Sequence, residues 1–239
     1  MSAPPGLRVG RELARYIDHT LLSPGATRDE VAKLCAEARD WGFATVCVRS
    51  GHVALAASLL RGCPSRPIAV VDFPLGTGGV AAKVRETREV VAAGAAEVDM
   101  VINLGALKMK DYALVEQEIR AVVEAARPAL VKVILETGAL TRDEKAIGCA
   151  LSKAAGAAFV KTSTGFGPGG ATADDVALLR AVVGDDMGVK ASGGIRTAAD
   201  AARMIAAGAS RLGTSASVAI VSGAAPSPGG AERAPGSAD

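Results

Sequence analysis

Short runs of β-branched and apolar residues alternate along positions 15–221 with longer stretches in which apolar residues recur every three or four positions. The short runs are typical of buried strands, and the longer stretches are typical of helices that bury one face. This alternation repeats eight times. It predicts strands at Arg15–Thr20, Ala44–Arg49, Ile68–Phe73, Glu97–Asn103, Leu130–Glu136, Phe159–Ser163, Gly188–Ser192 and Arg211–Ser215.

Residues at the ends of the longer stretches mark where helices begin and end. Thr27, Thr141 and Thr172 each precede an acidic residue by three positions, which is the spacing of a capping box. Four glycines close helical patterns one to three positions before the next strand, where a left-handed backbone is expected. These glycines are Gly42, Gly94, Gly156 and Gly208. Two of the clearest amphipathic patterns predict helices at Val80–Ala93 and Tyr112–Ala126.

Eight strand-and-helix units favour a single-domain α/β fold, a closed (β/α)8 TIM barrel, over an open doubly wound sheet, which more often has five or six strands. The length of 239 residues is close to the ~250 typical of such a barrel. We assign the barrel to residues 11–221 and expect a flexible N-terminus at residues 1–10. Residues 222–239, rich in Gly, Ala, Pro and Ser, are predicted to be a disordered tail.

Composition and charge narrow the classes of partner. The net charge is +2 and 22% of the residues are charged, so nothing indicates a nucleic-acid partner. No apolar stretch is long enough to cross a membrane, and the first residues lack the apolar region of a secretory signal. We therefore expect a cytoplasmic protein without a membrane partner.

Cysteines and histidines do not indicate a metal site. The four cysteines lack CxxC spacing and are expected to be reduced thiols. His19 and His52 fit no metal-binding spacing, so neither a metal nor another cofactor is predicted. We expect His19 to be a hydrogen-bonded residue at the end of the first strand, and His52 to open the second helix.

Charged residues lie inside four consecutive predicted strands, the fourth to the seventh. They are Asp99, Lys132, Lys161 and Lys190. An unpaired ammonium inside a barrel is costly, so one interpretation is an ion-paired plug in which Asp99 and Glu136 neutralise the lysines. The other is chemistry, because burial and a second cation lower the pKa of a lysine.

Lys161 and Lys190 lie on adjacent predicted strands, about 5 Å apart at the backbone. Like charges at that distance favour the loss of one proton, so one lysine can act as a nucleophile while the other stays charged. Spacing alone does not choose between them. Asp99 supplies a carboxylate suited to proton transfer.

Glycine-containing loops follow the sixth, seventh and eighth predicted strands. They are Lys161–Gly165, Ser192–Arg196 and Gly213–Ser215. Backbone N–H groups at this end of a barrel commonly bind phosphate, although any single glycine can equally be a turn residue. Three such loops on consecutive strands predict a phosphate-bearing substrate.

The strand-end segments resemble the deoxyribose-phosphate aldolase family over most of the chain. The resemblance rests on Ile17–Leu22, Thr45–Val48, Glu97–Asn103, Lys132–Gly138, Lys161–Phe166 and Lys190–Arg196. It implies a class I aldolase that reversibly splits 2-deoxy-D-ribose 5-phosphate into acetaldehyde and D-glyceraldehyde 3-phosphate. It also implies that Lys161 forms the Schiff base, that Lys190 lowers the pKa of Lys161, and that Lys190 and Asp99 transfer protons.

The same resemblance implies a set of substrate-binding residues. Lys132 and Cys47 are expected beside the pocket. The residues expected around the substrate and its phosphate are Thr164, Gly165, Gly193, Gly194 and Ser215. Family members can carry lysine where this chain has Phe166, which leaves the phosphate site dependent on backbone amides and Arg196. Some members end in a tyrosine that assists proton transfer, whereas this chain ends in Ala238-Asp239.

Two rival functions remain open on the residues alone. One is a phosphosugar isomerase or epimerase that uses Asp99 as base and the lysines as electrostatic clamps. The other is a phosphosugar-binding barrel without catalysis. The expected partners are small phosphosugar and aldehyde substrates and, as the default for a soluble barrel, a second copy in a homodimer.

Overall fold

The structure, a computed structural model, describes residues 9–223. Eight parallel strands hydrogen-bond in sequence order, and the eighth pairs with the first to close the barrel. The strands are β1 (Ile17–Leu21), β2 (Thr45–Val48), β3 (Arg66–Val71), β4 (Glu97–Val101), β5 (Leu130–Ile134), β6 (Phe159–Lys161), β7 (Gly188–Ser192) and β8 (Arg211–Thr214). The predicted (β/α)8 barrel is confirmed, and the strand ends differ from the predicted ones by at most two residues.

Helices surround the barrel. In the described part of the chain they are α1 (Arg11–Ala14), α2 (Arg28–Trp41), α3 (Val53–Leu59), α4 (Gly79–Ala92), α5 (Leu104–Lys108), α6 (Tyr112–Ala126), α7 (Arg142–Ala154), α8 (Ala173–Val183), α9 (Ala198–Ala206) and α10 (Ser217–Ser222). The helix predicted at Tyr112–Ala126 is confirmed, and the one predicted at Val80–Ala93 is shifted by one residue. Short 3₁₀ turns occupy Ser50–His52 and Thr137–Ala139.

The predicted helix caps have a local structural basis. Thr27 and Thr141 form complete capping boxes at the starts of α2 and α7. Thr172 caps α8 with its side chain alone, so the full box predicted there is wrong. Gly42 ends α2 in the left-handed conformation, with φ 74° and ψ 42°, as its position predicted.

Alternation along the strands separates an apolar layer from a polar lumen. Val131 and Val133 of β5 pack in the core between barrel and helices, and Lys132 between them projects to the opposite face. Val189 and Ala191 flank Lys190 of β7 in the same way. The strands therefore direct their charged residues toward the barrel interior.

The remaining expectations are met in part. The four cysteines are free. His19 is hydrogen-bonded as expected, with Nδ1 2.9 Å from Ser217 Oγ and Nε2 2.8 Å from Glu37 Oε2, although it lies in the middle of β1. His52 is the residue at which α3, the helix that follows the second strand, begins, as expected. Its side chain makes no capping hydrogen bond.

Part of the predicted termini is outside the described residues, namely residues 1–8 and 224–239, including the Ala238-Asp239 end. No helix between residues 9 and 223 is long and apolar enough to cross a membrane.

Candidate active site

The strand register brings the predicted charged residues together in the lumen. Lys161 pairs with Lys190 across β6 and β7, and Asp99 pairs with Lys132 across β4 and β5. All four side chains are buried. The register therefore produces a compact charged cluster from four consecutive strands, β4 to β7.

Asp99 lies at the centre of this cluster. Its Oδ2 accepts hydrogen bonds from Lys161 Nζ at 2.9 Å and Lys190 Nζ at 2.7 Å, and its Oδ1 accepts one from Lys132 Nζ at 3.0 Å. Burial alone would raise the pKa of Asp99, but the three ammonium groups outweigh burial and hold that pKa well below its usual range. Asp99 is consequently a carboxylate at neutral pH.

The two neighbouring lysines have different surroundings. Lys190 Nζ also lies 2.6 Å from Asp18 Oδ2, so it sits between two carboxylates. Burial favours a lower pKa, but Asp18 and Asp99 outweigh it and raise the pKa of Lys190 above its usual value. Lys190 is therefore the lysine that stays charged.

Lys161 has one carboxylate partner, Asp99. Burial lowers the pKa of Lys161, the Asp99 carboxylate opposes this, and the charge of Lys190 lowers it further; the net direction is downward. Lys161 therefore loses its proton more readily than Lys190, a distinction that spacing along the sequence did not make.

A cavity of about 300 Å³ opens at the carboxyl ends of the strands, with Lys161 in its wall. Five of the predicted substrate-binding residues also line it. They are Thr164, Gly165, Gly193, Gly194 and Ser215. Asp99, Lys190, Lys132 and Cys47 are not part of the wall, because they are fully buried. Of the predicted catalytic residues, Lys161 is thus the one that faces the cavity.

Cys47 lies in the lumen, in a small apolar cluster with Leu22, Ile68 and Val70. Burial raises the pKa of its thiol to about 11, with smaller and opposing contributions from nearby charges. Cys47 is therefore a neutral, apolar neighbour of the lysines at physiological pH.

The loop after β6 is shaped by a buried glutamate. Glu136 Oε2 accepts hydrogen bonds from the Thr164 backbone N–H at 3.2 Å and from the Thr164 hydroxyl, and the Phe166 N–H donates to the Thr164 hydroxyl at 3.0 Å. Gly165 lies between these residues in the cavity wall with φ 87°. A Cβ at Gly167 would lie 2.7 Å from the Glu136 carboxylate, so a larger residue there would displace that carboxylate from its present position.

The plug interpretation named Glu136 as a partner of the lysines, and this is wrong. Glu136 follows β5 with a left-handed backbone, φ 56°, which directs its carboxylate to Thr164. The lysines are instead neutralised by Asp99 together with Asp18 and Glu97. One cluster therefore contains both the ion pairs of the first interpretation and the candidate nucleophilic lysine of the second.

Four charged side chains that contact the lysine cluster or the cavity wall were not predicted from the sequence: Asp18, Glu97, Arg211 and Arg49. The first three are charged residues inside or at the start of strands, a signal that was available in the sequence. Asp18 accepts hydrogen bonds from Thr45 at 2.6 Å and Arg211 at 2.7 Å.

Arg49 packs against two residues of the cavity wall, Leu22 and Phe166. Its Nε–H donates to the Leu22 carbonyl at 2.7 Å, and its guanidinium carbon lies 5.5 Å from the Phe73 ring centroid and 5.9 Å from that of Phe166. The two rings meet edge to face at 5.3 Å. Phe166, which replaces a lysine of some family members, therefore belongs to an aromatic and cationic wall.

Within residues 9–223, no group of three or more His, Cys, Asp or Glu side chains is arranged to hold a metal ion. The side chains of the cavity wall supply the Lys161 amine, the Arg196 guanidinium and hydroxyls such as those of Thr164 and Ser215.

Comparison with known proteins agrees with this geometry. Residues 13–225 match the DeoC/LacD family of aldolases. The chain is 55% identical over 217 residues to the deoxyribose-phosphate aldolase of Halalkalibacterium halodurans, covering 90% of this chain and 97% of that protein. It is 55% identical over 212 residues to that of Streptococcus sanguinis, covering 89% and 96%. The deoxyribose phosphate aldolase of Aeropyrum pernix, described as having a unique tetrameric structure, superposes with a TM-score of 0.83 at 36% identity over 89% of this chain and 90% of its own. The chain belongs to the DeoC/LacD family of aldolases.

Proposed function

We propose that this aldolase reversibly cleaves 2-deoxy-D-ribose 5-phosphate into acetaldehyde and D-glyceraldehyde 3-phosphate through a Schiff base on Lys161. The substrate is suggested by relatives named for this reaction, which match about nine-tenths of the chain. The observation that carries the mechanism is the unequal pair of lysines. Lys161 reaches the cavity with a lowered pKa, beside Lys190, whose pKa is raised.

The neutral amine of Lys161 attacks the aldehyde carbon C1 of the open-chain sugar, and loss of water leaves a protonated imine. Removal of the proton from the C3 hydroxyl then allows the C2–C3 bond to break. Its electron pair moves to the imine to form an enamine, and glyceraldehyde 3-phosphate leaves. Protonation of the enamine at C2 and hydrolysis release acetaldehyde and regenerate Lys161.

Asp99 and Lys190 are the proposed proton-transfer pair for these steps. Lys190 Nζ donates to Asp99 and forms an ion pair with Asp18, and Asp99 also accepts from the amine of Lys161. A proton can therefore pass between the reacting nitrogen and its neighbours along short hydrogen bonds. Lys132 holds the other oxygen of Asp99 and keeps the carboxylate oriented.

The phosphate is proposed to bind against the loops after β6, β7 and β8. Gly193 and Gly194 have φ values of 91° and 78°, a conformation that glycine adopts without strain and that turns the loop at the cavity wall. Gly165 and Ser215 complete this side of the cavity, and Arg196 lies in the same wall. Backbone amides and one guanidinium suit a phosphate group.

A retro-aldol assay coupled to detection of glyceraldehyde 3-phosphate tests the function. We expect turnover by the parent and by Lys153→Arg, a control at an exposed lysine. Lys161→Arg should lose turnover, because a guanidinium is not deprotonated in a protein. No turnover by the parent would favour one of the two rival functions, the isomerase or the non-catalytic barrel, and retained turnover in Lys161→Arg would contradict a Schiff base on Lys161.

We also propose a cytoplasmic location and a homodimer. The location is supported by four free cysteines and by a phosphorylated substrate. The proposal of a dimer rests on the two-fold dimer being the commonest form among soluble oligomers. Light scattering on the purified chain tests the assembly, and a monomer or a tetramer would contradict it.

A further inference from the structure

Six charged side chains form a closed ring of alternating sign in the barrel lumen, and each member contacts one oppositely charged neighbour on either side. In order around the ring they are Arg211, Asp18, Lys190, Asp99, Lys132 and Glu97. The ring contains three cations and three anions, so its charges cancel.

Four of the six ring members lie on the side nearer the cavity. They are Asp18, Lys190, Asp99 and Lys132. Lys190 Nζ lies 2.6 Å from Asp18 Oδ2 and 2.7 Å from Asp99 Oδ2, and Lys132 Nζ lies 3.0 Å from Asp99 Oδ1. All four side chains are completely buried. Burial opposes the charged forms, but the opposite charges at these distances outweigh it: they hold the pKa values of Asp18 and Asp99 below their usual range and raise that of Lys190.

The remaining two members, Arg211 and Glu97, close the ring at the amino end of the barrel. Arg211 Nη1 lies 2.7 Å from Asp18 Oδ1 and 3.4 Å from Glu97 Oε2, and Glu97 also bonds Lys132. The Phe159 ring lies beneath these charges, with its centroid 5.5 Å from the Arg211 guanidinium carbon and 5.7 Å from Lys132 Nζ. Arg211 and Glu97 are the first residues of β8 and β4, and neither lines the cavity.

Lys161 is the charge left over. Its Nζ contacts one ring member, Asp99 of β4. The other groups that face it are Lys190 of β7 and the neutral thiol of Cys47 of β2. A protonated Lys161 gives this set of seven side chains a net charge of +1. Loss of that proton makes the set neutral without breaking any contact of the ring.

We propose that Arg211 and Glu97 are positioning residues of the aldolase, which act from the end of the barrel opposite the cavity by closing the ring that leaves Lys161 as the surplus cation. Neither residue touches substrate. The inference rests on the proposed role of Lys161 as nucleophile. It makes the charge balance at the amino end of the barrel a determinant of chemistry at the carboxyl end.

The two residues must then act in opposite directions. Arg211→Met removes a positive charge, so a protonated Lys161 becomes the charge that balances the set, and its proton is held more tightly. Glu97→Gln removes a negative charge, so the set becomes more positive and Lys161 loses its proton more easily. The double variant removes one charge of each sign and restores the balance.

The acid limb of kcat/KM against pH measures this effect, because the nucleophile must be neutral in the free enzyme. β4 and β8 are each two strands from β6, or about 10 Å. A unit charge at that distance, with an effective dielectric constant of about 20, shifts the limb by about one pH unit. We expect Arg211→Met to move the limb to higher pH and Glu97→Gln to move it to lower pH. The double variant should return it toward its position in the parent.

Controls separate charge from packing. Arg211→Lys retains the charge and should rescue the position of the limb, and Arg203→Met removes an exposed cation on α9 and should leave the limb in place. Each variant is also tested for cooperative thermal unfolding. Glu97→Gln conserves side-chain shape and leaves Lys132 bonded to Asp99, so its downward shift can be measured even if Arg211→Met does not fold.

Limbs that stay in place, or that move in the same direction in both single variants, would overturn the inference. A failure of the proposed function looks different. In that case the parent itself shows no retro-aldol turnover, or Lys161→Arg retains activity, before any ring variant is considered.

Discussion

A second buried ion cluster, outside the barrel, allows a stability prediction. Lys83 of α4 is completely buried, and its Nζ bonds Glu118 Oε2 of α6 and lies 3.6 Å from Asp72 Oδ2. The other oxygen of Glu118 accepts a hydrogen bond from Asn103 Nδ2 at 3.1 Å. Lys83→Met keeps the length of the side chain and leaves Glu118 buried with one neutral partner.

The cost follows from the buried charge that remains. Removing one partner of a buried ion pair costs about 3–5 kcal/mol. For a domain of this size, each kcal/mol lowers the melting temperature by roughly 2–4 °C, so we expect a decrease of about 6–20 °C. Lys33→Met, at a lysine whose side chain is 76% exposed, should change stability by no more than about 0.5 kcal/mol.

Urea unfolding followed by circular dichroism measures the difference in unfolding free energy. Lys83→Met/Glu118→Gln removes both charges and should recover a large part of the loss, because the penalty comes from the unpaired carboxylate. A loss below about 1 kcal/mol in Lys83→Met, or a double variant less stable than the single one, would refute this reasoning.

The remaining predictions concern the lumen and the phosphate loop. Lys161→Met removes the surplus buried cation, so it should abolish turnover yet raise the unfolding free energy at pH 7 by about 1 kcal/mol or more; a less stable variant in urea would contradict the charge balance. Lys190→Met removes the buried ammonium that Asp18 and Asp99 share, so each carboxylate loses one of its cationic partners, and we expect a loss of about 3–5 kcal/mol by the same measurement. Thr164→Val removes the hydroxyl that links Glu136 to the Phe166 amide, so KM for deoxyribose 5-phosphate should rise about tenfold while KM for unphosphorylated deoxyribose stays the same; equal changes for both sugars would exclude a role in phosphate binding. Burial would raise the pKa of Asp99, but the lysines outweigh burial and lower it. The stability that Asp99 contributes is therefore present above its ordinary pKa of 3.8 and is lost as the pH falls further. A loss of stability already near pH 6, in urea curves measured over a series of pH values, would contradict this.

The fold was predictable because the barrel repeats a local pattern eight times. A buried strand, a capping threonine or a glycine at a helix end depends on residues only a few positions away. A short stretch of sequence is therefore enough to predict each of them. The register of β6 and β7 followed as well, since Lys161 and Lys190 occupy equivalent positions on neighbouring strands.

The asymmetry between these two lysines was not predictable from spacing. It arises from Asp18 on β1, which contacts Lys190 but not Lys161, and Asp18 in turn contacts Arg211 at a sequence separation of 193. Contacts that form when a barrel closes join the two ends of the chain, and no local pattern reports them. Glu136 was assigned to the lysines for a related reason, because its left-handed backbone reverses the direction expected from strand alternation.

The central claim is that Lys161, rather than Lys190, carries the reacting amine. Incubation of the parent with acetaldehyde and borohydride, followed by peptide mapping, tests it most directly. Borohydride reduces the imine to a secondary amine, which does not hydrolyse. The account predicts an ethyl group on Lys161 and none on Lys190 or on the exposed Lys153. An adduct on Lys190 with Lys161 unmodified, or no adduct on either lysine, would contradict it.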